Sequence, residues 1–168
     1  LIRCFTRLGY IRLAEELDTI SYRDDCFAGA FTPFTSSDKE MLTGKKFPVF
    51  SKIKGCMKQQ TDGNTEGFLI ILSVPGCIWD EILRHNVLQS LSISSYSKYM
   101  AVTIATEATS VIPVHETENI CIPGKKEYAK IHRFAGRHHA PLLIVTDSEG
   151  TIVKTAGSWA ALIKVSEL

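Results

Sequence analysis

The chain has 168 residues, 45% of them hydrophobic and 22% charged, with a formal net charge of +1. That length allows one domain with an extension, and the composition excludes wholesale disorder. Near-neutrality excludes a global pull toward nucleic acid or membrane, and no apolar run approaches the ~20 residues that span a bilayer.

Residues 1–18 carry Leu1, Phe5, Leu8, Ile11, Leu13 and Leu17 among Arg, Glu and Ala, a pattern that predicts a helix. The opening residues do not read as a signal peptide, and a targeting segment upstream of Leu1 stays open. Residues 21–36 are turn-rich and aromatic, the composition of a strap packed across a domain or of a docking loop for a partner. Ser37 and Glu40 form a capping box for a short helix to Leu42. Gly44 and Pro48 break the chain; Val49 and Phe50 could then open a strand, and Ile53, Cys56 and Met57 a helical turn. Lys45, Lys46, Lys52, Lys54 and Lys58 make this stretch basic, which reads as a solvated face. The polar, Gly-rich run at 59–67 is a loop by composition. It places a domain boundary between an N-terminal extension, 1–65, and a main domain, 66–168.

Beyond it the pattern sharpens. Phe68-Leu-Ile-Ile-Leu72 is an unbroken apolar run, as expected of a central strand covered on both faces. Residues 74–77 form a turn. Ile78, Ile82, Leu83, Val87, Leu88 and Leu91, set among Asp80, Glu81 and Arg84, predict a helix with a broad buried face. A serine-rich loop at 90–97 leads to a strand at 99–104, and 111–115 reads as an extended edge because of Pro113. Residues 125–137 are the cleanest helix: Lys126, Lys130, Arg133 and Arg137 share one narrow face, with Tyr128, Ile131, Phe134 and Ala135 opposite. The apolar run at 142–145 ends at Asp147-Ser-Glu-Gly150, and Thr151-Ile-Val153 follows, the signature of a hairpin. Ser158 caps a closing helix. The order is strand, helix, strand, helix, strand, strand, helix. It implies an α/β domain with a parallel core and an antiparallel hairpin. Residues 69–72 and 142–145 are expected side by side and parallel at its centre.

This order over residues 66–168 resembles thioredoxin-like proteins, especially the tryparedoxin and nucleoredoxin branch. The features that carry the likeness are Pro141 opening a core strand, the turn from Asp147 to Gly150, and Ile152-Val153 after it. The resemblance implies a three-layer fold, a central mixed sheet with helices on both faces, here with the N-terminal extension added.

The family's redox site is Trp-Cys-x-x-Cys at a helix start, where the dipole lowers the first thiol's pKa and the second thiol resolves the mixed disulfide. The corresponding stretch here is Ser73-Val-Pro-Gly-Cys77-Ile-Trp-Asp80. One register puts Cys77 in the first-cysteine position and Asp80 in the second; a shift by three leaves Cys77 as the second, with the first lost. Neither register has a dithiol, and Asp80 close to the sulfur would oppose thiolate formation. By the resemblance, Pro141 is the cis-proline facing the site. A redox-active protein would therefore use Cys77, Asp80 and Pro141, with Cys121 or an external thiol resolving Cys77. The other reading makes Cys77 a small apolar filler between strand and helix.

Five cysteines, Cys4, Cys26, Cys56, Cys77 and Cys121, are odd in number and widely spaced. Disulfide frameworks and zinc sites show close pairs, so the expectation is mostly buried free thiols in a reducing, intracellular compartment, cytoplasmic or organellar. His132, His138 and His139 have no ligands at metal spacing beside them, and no cofactor motif is present. Two function classes remain. One is a thioredoxin-like module that has lost its dithiol and works as a binding or structural subunit, with a protein as the expected partner; the other is a single-thiol oxidoreductase or thiol-dependent enzyme using Cys77. The stripe of Lys126, Lys130, Arg133 and Arg137 is either a solvated face or a contact surface for an acidic partner or a nucleic-acid backbone.

Overall fold

The apolar run at 68–72 lies in the middle strand of a five-stranded sheet. The computed structural model describes residues 42–57, 64–73, 78–93, 97–105, 118–135 and 142–157. The expected helix at 1–18, the strap at 21–36, the capping box at Ser37, the edge piece at 111–115 and the closing helix after Ser158 lie outside them. The described elements are α1 (Phe50–Gly55), β1 (Gly67–Leu72), α2 (Ile78–Ile93), β2 (Tyr99–Ile104), β3 (Asn119–Cys121), α3 (Lys125–Ala135), β4 (Leu142–Asp147) and β5 (Ile152–Gly157). The strand order is β3-β2-β1-β4-β5.

Strands β1, β2 and β3 are mutually parallel, with Gly67 opposite Tyr99 and Ile104 opposite Cys121. β4 lies beside β1, as expected, but runs antiparallel to it, with Leu72 opposite Leu142 and Gly67 opposite Asp147. The expectation of parallel pairing is therefore corrected. The reason is where the connection begins and ends. β3 ends at Cys121 opposite Ile104, and β4 begins at Leu142 opposite Leu72; both points lie at the C-terminal edge of the parallel strands. An 11-residue helix is ~16 Å long, close to the ~14 Å of three strand spacings from β3 to β4. The helix is long enough to carry the chain across the sheet, so β4 re-enters at the edge that β3 left.

Side chains alternate between two faces with period two. Phe68, Ile70, Leu72, Val102, Ile104, Leu142 and Ile144 pack with Ile53 of α1 and with Ile131 and Ala135 of α3. Leu69, Ile71, Ala101, Leu143 and Val145 pack with Leu83 and Val87 of α2. Helices therefore cover both faces. α2 continues through Ile93, into the stretch expected as a serine-rich loop. β3, with only three residues, has no periodicity to betray it.

Residues 42–57 join the first of these cores. Leu42, Phe47 and Ile53 are buried there, each stabilising by ~1.5–3 kcal/mol. The Gly44 N–H donates to the Ile152 carbonyl at 2.8 Å, and the Ile152 N–H to the Lys45 carbonyl at 2.9 Å, adding backbone pairing at the β5 edge. Val49 does not open a strand. It caps α1 in the left-handed region, φ 54° and ψ 26°, an uncommon place for a β-branched residue. Phe50 then meets Phe68 edge-on at 5.2 Å. Gly150, at φ +78°, completes the β4–β5 turn, and a Cβ there would stand 2.4 Å from the Phe50 ring. Cys56 and Cys121 are joined in a disulfide across 65 residues. The expectation of free thiols fails for this pair because sequence spacing does not report which residues the fold brings together.

Candidate functional site

The parallel strands β1 and β2 deliver the chain to one sheet edge, and a buried polar cluster is built there. Ser73 follows β1 directly and extends its ladder, its N–H donating to the Ile104 carbonyl at 3.0 Å. α2 begins at Ile78, the residue after Cys77, with Asp80 and Glu81 in its first turn, where the helix dipole favours anions. Asp80 and Arg84 are one turn apart and each only 2% exposed, although both are charged. The Ser73 Oγ donates to the Asp80 Oδ2 at 2.7 Å, and the Arg84 Nη1 lies 3.6 Å from the same oxygen.

Arg84 reaches across to Glu118, just ahead of β3. Its Nε and Nη2 donate to the Glu118 Oε1 and Oε2, both at 2.7 Å, in the planar bidentate geometry that suits guanidinium and carboxylate. The Thr103 hydroxyl of β2 donates to the Glu118 Oε1 at 2.6 Å. The Asn119 side-chain Nδ2 donates to the Ala101 carbonyl at 3.1 Å. Burial pushes the Arg84 pKa down, but the hydrogen bond to Glu118 and the charges of Asp80, Glu118 and Glu81 outweigh it, and the net direction is up. The guanidinium is charged at every ordinary pH. The network of Ser73, Asp80, Arg84, Thr103 and Glu118 joins four separate elements: the end of β1, α2, β2 and the start of β3.

Asp80 is therefore a buried carboxylate within a hydrogen-bonded network. Cys77 and Pro141 lie outside the described residues. Ser73 and Leu142 stand at this same sheet edge. Cys121 is committed to Cys56, so in this state it is no free resolving thiol for Cys77.

On the opposite side of the sheet, Lys126, Lys130 and Arg133 of α3 are exposed, turned away from the buried Ile131 and Ala135. Arg137 lies outside the described residues. The acid of this helix, Glu127, forms an ion pair with Lys52 of α1. That hydrogen bond holds its carboxyl below the ordinary value. Among the described residues no His, Cys, Asp or Glu cluster could hold a metal ion, and no helix is long and apolar enough to cross a membrane.

Sequence reasoning missed Ser73, Arg84, Thr103 and Glu118. Arg84 carried a signal: it stands four residues after Asp80 and next to the apolar positions Leu83 and Val87. Glu118 carried none.

No protein-family model matches the chain, and no curated protein matches it. Among solved structures, the thioredoxin domain of a thiol-disulfide oxidoreductase from Bacteroides vulgatus is similar to it, with a TM-score of 0.50 and 14% sequence identity. The match covers 71% of this chain and 91% of that one. The chain has an α/β thioredoxin-like fold.

Proposed function

We propose that this thioredoxin-like domain, of the tryparedoxin and nucleoredoxin branch, has lost the dithiol of its fold and serves as a binding or structural module for a protein partner. One observation carries the reading. Asp80 stands three residues after Cys77, where the resolving thiol of the resembled motif sits, and its carboxylate is held by Ser73 in the core beside Arg84. A carboxylate does not resolve a mixed disulfide, and its charge raises the pKa of a thiol close to it.

A second reading keeps Cys77 as a lone nucleophile. It is favoured by the start of α2 at Ile78, because a helix N-terminus depresses the pKa of a thiol at its mouth. Titrating the folded protein with a disulfide reagent at neutral pH separates the two. A single fast thiol that disappears in Cys77→Ser supports the enzyme, whereas uniformly slow thiols support the module. The module reading also expects no reduction of insulin disulfides. The odd, dispersed cysteines favour an intracellular, reducing compartment, the setting in which a disulfide cycles rather than persists. The exposed row of Lys126, Lys130 and Arg133 fits an acidic protein surface as partner.

A further inference from the structure

We propose that Cys56 and Cys121 form a thiol–disulfide exchange site that does not use Cys77, one that accepts electrons from a dithiol while the domain stays folded. Cys56 is the C-cap of α1 and half-buried; Cys121 is the last residue of β3 and 1% exposed. Their Cα atoms stand 5.4 Å apart, within the range that a disulfide bridges.

Contacts other than the bond hold that approach. Phe47 and Ile53 are buried in the core that also contains Cys121. Phe47 packs edge-on against Phe134 of α3 at 6.2 Å, and Phe50 against Phe68 of β1. The Phe47 N–H donates to the Gly150 carbonyl at 2.8 Å, and Lys52 pairs with Glu127. With the bond open, these contacts keep α1 docked and the two sulfurs facing each other. Re-formation is then an intramolecular step between positioned groups.

The difference in exposure sets the direction of attack. An external thiolate reaches the Cys56 sulfur and not the Cys121 sulfur, and exposed Lys54 in the same turn attracts an anionic attacker. The new bond joins the attacking sulfur to the Cys56 Sγ, the Cys56–Cys121 bond breaks, and Cys121 leaves as a thiolate that takes up a proton. The second thiol of the reductant then attacks its own partner sulfur in the mixed disulfide and releases Cys56. One dithiol becomes a disulfide, and two electrons and two protons pass to the cysteine pair.

The test uses the full chain with Cys4→Ser, Cys26→Ser and Cys77→Ser, which leaves this pair alone. The folded protein is treated with dithiothreitol and then with glutathione disulfide, while thiols are counted by alkylation and mass and the fold is followed by far-UV circular dichroism. Both thiols are expected to appear with the spectrum unchanged, and both to disappear on reoxidation. In the same background, Cys121→Ser should take a glutathione adduct at Cys56 at least about ten-fold faster than Cys56→Ser takes one at Cys121, because reactivity follows access. Where the triple variant does not fold, differential alkylation of the wild-type chain, mapped to Cys56 and Cys121 by mass, reads the same cycle. Thiols that appear only at denaturant concentrations that unfold the domain would overturn the proposal, as would a pair that glutathione disulfide never joins.

Discussion

Replacing Glu118 by Ala removes the acceptor of two charge-assisted bonds from Arg84 and of a third from Thr103, all within a site that is 1–2% exposed. Charge-assisted hydrogen bonds contribute ~1.5–3 kcal/mol each, but the larger cost is a buried guanidinium stripped of its main partner, and breaking a buried pair costs ~3–5 kcal/mol. Asp80 stays 3.6 Å from the Arg84 Nη1 and offsets part of this, so the expected loss lies near the lower end, ~3 kcal/mol. Against a total stability of ~5–15 kcal/mol, that is a large fraction. Urea unfolding followed by far-UV circular dichroism reads the effect as a lower midpoint at unchanged slope. Replacing both partners, Arg84→Met with Glu118→Leu, removes the stranded guanidinium but leaves buried Asp80 without that cation, so the double variant should recover only part of the loss, with a coupling of ~1 kcal/mol between the sites. A Glu118→Ala variant that loses less than ~1 kcal/mol would refute the argument, because the network would then be contributing no more than an exposed pair.

Three further outcomes are expected. Gly150→Ala places a methyl against the Phe50 ring at a positive φ, and should lower stability by ~1–3 kcal/mol in the same unfolding assay. Burial tends to raise the Asp147 carboxyl, but hydrogen bonds from the Thr151 and Glu149 N–H groups outweigh it and lower its pKa. The folded value is thus below the unfolded value, so its contribution is complete above the ordinary 3.8 and lost as pH falls through the folded value; Asp147→Ala should cost ~1 kcal/mol at pH 7 and flatten stability below pH ~4. Binding of the domain to an acidic protein should weaken steeply from low to physiological salt, and further when Lys130 and Arg133 are both changed to Glu; equal binding by that double variant would make the stripe a solubility feature.

By itself the sequence determined the elements whose signals are local. The apolar runs at 68–72 and 142–145, the β-branched pair Ile152-Val153 behind an acidic-Gly turn, and the periodic faces of α2 and α3 each state their conformation within a few residues, and the structure agrees. What the tertiary structure decided is non-local. A strand buried on both faces reads the same in either direction, so the antiparallel entry of β4 depends on where α3 returns the chain. The three residues of β3 are strand only because β2 offers them an open edge. Arg84 looks like a surface charge until Glu118, 34 residues later, arrives to neutralise it in the core. Cys56 and Cys121 look like separate thiols until the packing of Phe47 and Ile53 carries one beside the other. In each case the deciding energy comes from a partner distant in sequence. No local propensity records such a partner, so only the assembled sheet and its two packed faces reveal it.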